Sequence, residues 1–226
     1  MSLRMKKGTF IVIDGTDASG KKTQTALLVE RLKKSGREAQ SIDFPRYKKN
    51  LVADQIRDGL DGKIPLFDFL ALPAKIASIL YAADRAESKE EIEKWLSEGQ
   101  YVVADRYVSS NQIHQGGKIR DEHEREAFLT WLDDLEFTRL KLPRPDLIVY
   151  LHVPVEISIE LARSRAEKNG ESPDAAEVSV RHQRESQESA LHVVKRSNNW
   201  VRIDCAPKGV MLPAPEIHEL IWKLIK

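Results

Sequence analysis

Five short apolar segments, each followed by a helical pattern, constrain the fold of this chain more than any other feature. The first of them, TFIVID, is rich in β-branched residues, which is typical of a strand buried on both faces. Amphipathic stretches separate the segments, and this alternation indicates parallel strands joined by helices. We therefore predict an α/β protein with a five-stranded parallel sheet flanked by helices. The predicted strands are Thr9–Asp14, Glu38–Phe44, Tyr101–Asp105, Asp146–Val153 and Trp200–Asp204.

Composition narrows the class of protein. The 226 residues show no internal repeat and no long linker, so we expect a single domain over residues 5–226. The 36 basic and 35 acidic side chains nearly cancel, which argues against a surface dedicated to nucleic acid. The lone Cys205 excludes an internal disulfide framework, and no apolar run approaches the roughly 18 residues of a membrane span. We expect a cytoplasmic protein without a membrane partner.

The helical patterns alternate with these strands. Leucines at helical spacing follow the first strand, and a long helical region precedes the third. The predicted helical regions are Lys22–Gly36, Ala77–Gly99, Glu124–Leu140, Val155–Lys168 and Pro215–Lys226.

The stretch GTDASGKKT, Gly15 to Thr23, follows the first strand directly. Glycine, four residues, glycine and lysine form the start of a phosphate-binding loop. Lys21 opens a predicted helix, so backbone amides and the helix dipole point towards one place, where an anion can bind. The loop departs from the usual pattern at Lys22, where a Ser or Thr hydroxyl would bind Mg²⁺ and an ammonium cannot. We expect a nucleotide phosphate site in which the metal ion is held differently.

Basic side chains also follow the next two strands. Arg46 lies in FPRY after the second strand, and Arg106 follows Asp105 after the third. Ligands of parallel sheets bind beyond the carboxyl ends of the strands. Because guanidinium groups bind phosphate oxygens in pairs, two arginines beside a phosphate loop suit two phosphorylated ligands that face each other.

These motifs as a set resemble the thymidylate kinase family of the P-loop nucleoside monophosphate kinases. The resemblance runs from Phe10 to about Leu191, and the segments that carry it are FIVIDGTDASGKKTQ, DFPRY, LYAADRAE, VVADRYVSSNQIHQGG, LPRPDLIVYLHV and Arg163–Glu177. It implies a three-layer P-loop NTPase fold with a mobile lid at about residues 163–177. It also implies transfer of the γ-phosphoryl group of ATP to dTMP, giving dTDP and ADP for dTTP supply, with Mg²⁺ as cofactor and a homodimer as the assembly.

The same resemblance assigns roles to individual residues. Lys21 and the loop amides would bind the ATP phosphates, and Arg106 would bridge the donor and acceptor phosphates. The predicted ATP-binding residues are Gly15, Asp17, Ala18, Ser19, Gly20, Lys21, Lys22 and Thr23. The predicted catalytic residues are Lys21, Lys22, Asp105, Arg106, Arg163 and Arg165, the last two in the lid. For Lys22, the hypothesis is that its charge replaces an arginine that relatives carry elsewhere.

In the acceptor site, Arg85 matches an arginine that binds a thymine carbonyl, and Tyr81 matches an aromatic residue that stacks on the base. His114 stands where many relatives carry tyrosine next to the sugar, and it is equally well interpreted as a structural histidine. The predicted dTMP-binding residues are Asp17, Phe44, Pro45, Arg46, Tyr47, Tyr81, Arg85, Arg106, Ser110, Asn111, His114 and Gln115. The predicted metal ligands are Asp17, Asp105 and Glu177.

Two other functions stay open from the sequence. A deoxynucleoside kinase would share the Asp-Arg pair, and it would need a general base such as Asp43 to activate a neutral hydroxyl. Pro45 and Arg46 directly behind it suit an anionic acceptor better. A nucleotide-binding regulatory module is the other alternative, although the Asn-Lys-x-Asp motif of guanine-selective switches does not occur.

Overall fold

A computed structural model describes residues 7–64, 70–170 and 179–225 of the chain. These residues form a five-stranded sheet in the order β2-β3-β1-β4-β5, and every neighbouring pair is parallel. All five strands lie where the sequence predicts them. Their bounds are β1 Thr9–Gly15, β2 Ala39–Asp43, β3 Tyr101–Asp105, β4 Leu147–His152 and β5 Trp200–Asp204.

Helices connect the strands. In the described part of the chain they are α1 Lys21–Lys34, α2 Leu51–Leu60, α3 Ala74–Glu87, α4 Lys89–Ser97, α5 Val108–Ser110, α6 Glu122–Asp133, α7 Val155–Asn169, α8 Val180–Arg196 and α9 Ala214–Lys223. Two π-helical segments, Asn111–Gln115 and Asp134–Arg139, continue α5 and α6. A 3₁₀ turn, Pro207–Gly209, follows β5. None of these helices is long and apolar enough to cross a membrane.

The predicted helical region Ala77–Gly99 is two helices. Helix α3 ends and α4 begins at Ser88, whose backbone N–H donates to Arg85 O at 3.1 Å in a tighter turn. The apolar spacing runs through this break because Ala86 of α3 packs in the same core as Ile92 and Leu96 of α4. Helix α2 has no counterpart among the sequence predictions.

The sheet is covered on both faces, as the predicted three-layer fold requires. On β1, Phe10 and Val12 face one core, whereas Ile11 and Ile13 face the other. Helices α4, α6 and α8 contribute side chains to the first core, and α1 and α9 contribute to the second. Both faces of the central strands are packed against helices, so we expect ligands at the carboxyl edge of the sheet.

Candidate active site

The ends of three adjacent strands form the carboxyl edge of the sheet. Asp105 on β3 is in register with Asp43 on neighbouring β2 and with Ile13 on neighbouring β1. The residues that follow these three positions therefore lie along one edge. The sequence prediction that the phosphate loop, the FPRY segment and the Asp-Arg pair meet there is confirmed by this register.

The loop between β1 and α1 has the backbone of an anion site. Gly20 has a φ of 88° and begins α1, which has no side-chain cap and no acidic residue in its first turn. Its first N–H groups are therefore available to a ligand. Gly15 is required because a Cβ atom there would lie 2.6 Å from both Leu151 O and Ser19 Oγ. Lys22 and Thr23 are exposed on the first turn of α1.

Lys21 is the buried cation of this loop. Its Nζ donates a hydrogen bond to the carbonyl of Thr16 at 2.8 Å. Burial, followed by the charge of Arg106, lowers the pKa of Lys21 to about 8. A phosphate bound at this place would give the Lys21 ammonium a counter-charge. Lys21 is therefore suited to an anionic ligand.

Asp17 and Arg106 join the loop to the end of β3. Arg106 Nη2 pairs with Asp17 Oδ1 at 2.5 Å, and Gln183 Nε2 of α8 donates to Asp17 Oδ2 at 3.1 Å. Burial alone would raise the pKa of Asp17, but the charges of Arg106 and Lys21 outweigh it and hold that pKa well below its usual range. Arg106 has a φ of 68°, and its backbone N–H binds Ile13 O. Asp17 is therefore ionised and forms an ion pair with Arg106.

His114 holds the other side of the Arg106 guanidinium. Arg106 Nη1 lies 3.2 Å from His114 Nε2, and Ser186 Oγ lies 3.3 Å from Nδ1. Because an arginine can only donate, Nε2 must accept, and the proton of the neutral ring belongs on Nδ1. Burial lowers the pKa of His114, and Arg106 and His182 add to this. The His182 ring stacks on His114 at 5.5 Å between ring centroids.

A cavity of about 420 Å³ opens beside this group, within the usual range for small-ligand sites. The predicted site residues that line it are Asp17, Phe44, Pro45, Tyr47, Tyr81, Arg85, Asp105, Arg106, Ser110, Asn111, His114, Gln115 and Arg165. Residues lining it that sequence reasoning did not assign to a ligand include Arg57, Leu60, Leu70, Tyr107, Lys118 and His182. Asp43, named as the base of the deoxynucleoside alternative, lines it as well.

Deep in the cavity, Arg85 forms a buried ion pair that the sequence did not indicate. Its Nε donates to Glu136 Oε2 at 2.7 Å, and Nη2 pairs with Glu136 Oε1. Nη1 lies 3.3 Å from the carbonyl of Tyr107. Asn111 Nδ2 donates to the same Glu136 Oε1 at 3.1 Å and to Ser78 O at 3.2 Å. Glu136 is fully buried, 51 residues from Arg85 in sequence, and no local pattern marks it.

Asp14 is a second carboxylate that the sequence left without a role. Its Oδ1 accepts from the backbone N–H of Gly15, and its Oδ2 accepts from the hydroxyls of Ser109 and Ser110 at 2.5 and 2.8 Å. It thereby fixes α5 against the start of the phosphate loop. Ser110, predicted to contact dTMP, uses its hydroxyl in this way.

Arg46 is placed differently from the expected phosphate contact. Its Nη1 lies 3.1 Å from Ser88 Oγ and pairs with Glu91, and its guanidinium does not line the cavity. Its backbone N–H donates to the carboxylate of Asp84 at 3.2 Å. A role for this arginine at the acceptor phosphate requires exchange of Glu91 for phosphate, and it stays a prediction.

Asp105 is the carboxylate that best fits a cation. It is partly buried, burial raises its pKa, and its Oδ1 has no hydrogen-bond partner among the described residues. The described residues contain no cluster of three metal-binding side chains. One carboxylate with phosphate oxygens and water is a common set for Mg²⁺. Glu177, the third predicted ligand, lies outside the described residues.

The predicted lid is described only in part. Arg163 and Arg165 lie in α7 and are exposed, and Arg165 lines the cavity. Residues 171–177 of the predicted lid lie outside the described residues. Arg165 is thus placed at the cavity by a helix that starts next to β4.

The strand β1, its glycine loop and α1 have the backbone geometry of a P-loop. The cavity of about 420 Å³ adjoins it, and ionised Asp17 and partly buried Arg106 line that cavity. Fold and site together define the class of P-loop kinases, enzymes that transfer a phosphoryl group between two bound ligands.

Comparison with known proteins gives the family within this class. The family model for thymidylate kinase matches residues 13–211. The thymidylate kinase of Mycobacterium tuberculosis is 32% identical over 159 residues, which cover 70% of this chain and 72% of that protein. The thymidylate kinase of Halothermothrix orenii is 29% identical and covers 97% of both chains. The chain belongs to the thymidylate kinase family.

A solved structure supports the fold alone. Thymidylate kinase from Candida albicans superimposes with a TM-score of 0.71 at 22% identity, over 97% of this chain and 91% of that chain. The predicted P-loop fold of five parallel strands between helical layers is therefore confirmed.

Proposed function

We propose that this enzyme transfers the γ-phosphoryl group of ATP to dTMP, giving ADP and dTDP for dTTP synthesis. The bond between the γ-phosphorus and the bridging β–γ oxygen breaks, and a bond forms to an oxygen of the dTMP phosphate. The observation that carries the proposal is the position of buried Lys21 and partly buried Arg106, two cations that both act on Asp17 beside the cavity.

Phosphoryl transfer to dTMP requires positioning and charge neutralisation rather than a general base. The acceptor phosphate is already a nucleophile, so the protein must hold two anions close together and neutralise them. The amides at the start of α1 and Lys21 would bind the ATP phosphates. Arg106, oriented by Asp17 and His114, would contact the phosphates of both ligands as charge moves between them.

Mg²⁺ would be held by Asp105 with phosphate oxygens and water, and it would supply further charge neutralisation. Asp17 is a weaker candidate ligand, because both of its oxygens have donors from protein side chains. We retain Lys22 as an additional cation for the ATP phosphates, supported by its exposed position on the first turn of α1. Arg163 and Arg165 would approach ATP from α7.

The base would lie in the deep part of the cavity. Arg85 and Asn111 supply polar groups there, and Tyr81, Phe44 and Pro45 supply apolar surface. This combination of a few fixed polar groups and apolar walls is typical of sites that select one ligand.

Phosphorylation of a deoxynucleoside is the second candidate. It is favoured by Asp43, which lines the cavity and has only a loose ion pair with Lys49, at 3.6 Å. A carboxylate at this place could accept the proton of a sugar hydroxyl.

An assay of ADP release separates the candidates. The purified enzyme is incubated with ATP and Mg²⁺ and with dTMP, dUMP, dCMP, dGMP or thymidine as acceptor. The proposal predicts turnover with dTMP and none with thymidine, and loss of turnover in Lys21→Ala. Turnover with thymidine but not with dTMP would support the deoxynucleoside kinase. ATP binding without turnover on any acceptor would indicate a binding module.

We also propose a cytoplasmic homodimer in which residues 5–226 act as one kinase domain. Support for a dimer comes from Ile76 and Ile79, which are exposed neighbours on α3. Sedimentation equilibrium of the wild type and of Ile76→Lys tests this. A monomeric mass for the wild type would contradict it.

A further inference from the structure

Glu136 occupies an unusual place for a carboxylate. It is fully buried, in the π-helical segment Asp134–Arg139, and its two oxygens accept from Arg85 and Asn111. A buried charge is unfavourable unless it is paired and hydrogen-bonded. Both of its partners line the cavity, whereas Glu136 itself does not. The carboxylate therefore lies behind the two groups that face a bound base.

Glu136 fixes which way the Asn111 amide points. The two N–H bonds of Nδ2 are used by Glu136 Oε1 at 3.1 Å and by Ser78 O at 3.2 Å. A flipped amide would place its own oxygen against a carboxylate and a carbonyl, which are both acceptors. The amide oxygen is thus left as the group that Asn111 offers to a ligand, and it can only accept.

Glu136 also determines which N–H groups of Arg85 are left for a ligand. Glu136 takes two of the five N–H bonds of the guanidinium, and Tyr107 O takes a third. Two donors remain for a ligand within the part of the chain that the structure describes. The positive charge is matched by the carboxylate, so Arg85 acts on the base mainly as a hydrogen-bond donor and attracts anions only weakly.

We propose that Glu136 is a positioning residue that selects the base through Arg85 and Asn111. A donor next to an acceptor complements the lactam edge of thymine or uracil, where N3–H donates and O4 accepts. The amino edge of cytosine has the opposite order, because N3 accepts and the 4-amino group donates. The inference rests on the proposed function, since it concerns the acceptor site of the same reaction.

The variant Glu136→Gln tests this with little change in shape. In either orientation of the new amide its NH2 group faces an N–H of Arg85, and in one of them it also faces Asn111 Nδ2, so the arrangement that holds both side chains is disrupted. We expect the ratio of kcat/KM for dTMP to that for dCMP to fall at least about 10-fold. Most of the change should appear as a higher KM for dTMP, with the KM for ATP within about 2-fold of the wild type.

Asp134→Asn is the matched control. Asp134 lies in the same π-helical segment and pairs with exposed Arg139 outside the cavity, so its amide variant should keep the wild-type ratio. If Glu136→Gln does not fold, Glu136→Asp keeps the charge but shortens the reach, and the same fall in the ratio is expected. Melting curves of each variant report folding separately.

The outcomes distinguish the inference from the proposed function. If the wild type phosphorylates dTMP and a folded Glu136 variant keeps the wild-type ratio, the inference is wrong and the function stands. If the wild type phosphorylates no nucleoside monophosphate, the proposed function fails. Binding of dTMP and dCMP to wild type and variant, measured by calorimetry, then tests the base preference without turnover, and equal preference in both would overturn the inference.

Discussion

Replacing Lys21 with methionine should stabilise the protein without nucleotide and remove its activity. Lys21 is 7% exposed, and its pKa falls from the usual 10.5 to about 8, first because of burial and then because of Arg106. This difference corresponds to roughly 3 kcal/mol of unfavourable free energy for holding the charge in the folded protein. Methionine fills a similar volume without the charge.

Two losses reduce this gain. The hydrogen bond from Lys21 Nζ to Thr16 O, at 2.8 Å, contributes about 1 kcal/mol. Lys21 also favours the ionised form of Asp17, and that support disappears. We therefore expect a net gain of about 1 to 2 kcal/mol, or a melting temperature about 2 to 8 °C higher for a chain of this size. The kcat/KM for ATP should fall about 1000-fold or more, since the phosphates lose their buried cation.

The pH dependence gives an independent check of the sign. The pKa of Lys21 is lower in the folded state, so between about 8 and 10.5 the unfolded chain binds more protons, and the stability of the wild type rises with pH through this window. Lys21→Met lacks that rise. Urea unfolding at pH values below and above the window measures it, with exposed Lys33→Met on the same helix as control. A Lys21→Met protein no more stable than the wild type, with an unchanged pH slope, would refute the reasoning.

Three further substitutions address the rest of the site. Gly15→Ala should lower the free energy of unfolding by about 2 kcal/mol or more, because the new Cβ meets Leu151 O at 2.6 Å, and an unchanged urea midpoint would contradict this. Asp17→Asn should lower the free energy of unfolding by about 3 kcal/mol, because Arg106 loses its ion-pair partner and keeps only the weaker attraction of Asp14 and Asp105. The pKa of Asp17 is held below its usual range, so the stability that Asp17 contributes is present near neutral pH and is lost as the pH falls into the acid range. The free energies of unfolding of variant and wild type should therefore converge in acid. A difference that stays constant with pH would disprove this contribution. His114→Phe removes the acceptor for Arg106, so kcat should fall about 10-fold while the KM for ATP stays within about 2-fold, and an unchanged kcat would count against the orienting role.

The sequence was sufficient to predict the five strands of the sheet and the position of the candidate site at its carboxyl edge. Buried parallel strands have a continuous apolar pattern, and glycine loops that enter a helix have a fixed spacing, so both are visible locally. The convergence of Lys21 and Arg106 at one edge then follows from the parallel topology. The break at Ser88 was missed, because the apolar positions of α3 and α4 continue one pattern across it.

The details of the site depend on contacts between distant parts of the chain. Gln183 meets Asp17 across 166 residues, and Glu136 meets Arg85 across 51, and no local spacing predicts such pairs. The guanidinium of Arg46 was expected at the phosphates, but Glu91 on α4 and Ser88 directly before α4 compete for it. The sequence thus indicates which residue types are available at the edge, whereas packing decides which partner each of them takes.

Transfer of radiolabelled γ-phosphate from ATP to dTMP, compared between the wild type and Arg106→Met, tests the central claim most directly. We predict that the label appears in dTDP with the wild type and that the rate falls about 1000-fold or more in the variant, because the charge between the two phosphates is gone. Label that appears in dTDP at the same rate in both proteins would contradict the placement of Arg106 between the two ligands. Label that appears only in inorganic phosphate would contradict the kinase reaction itself.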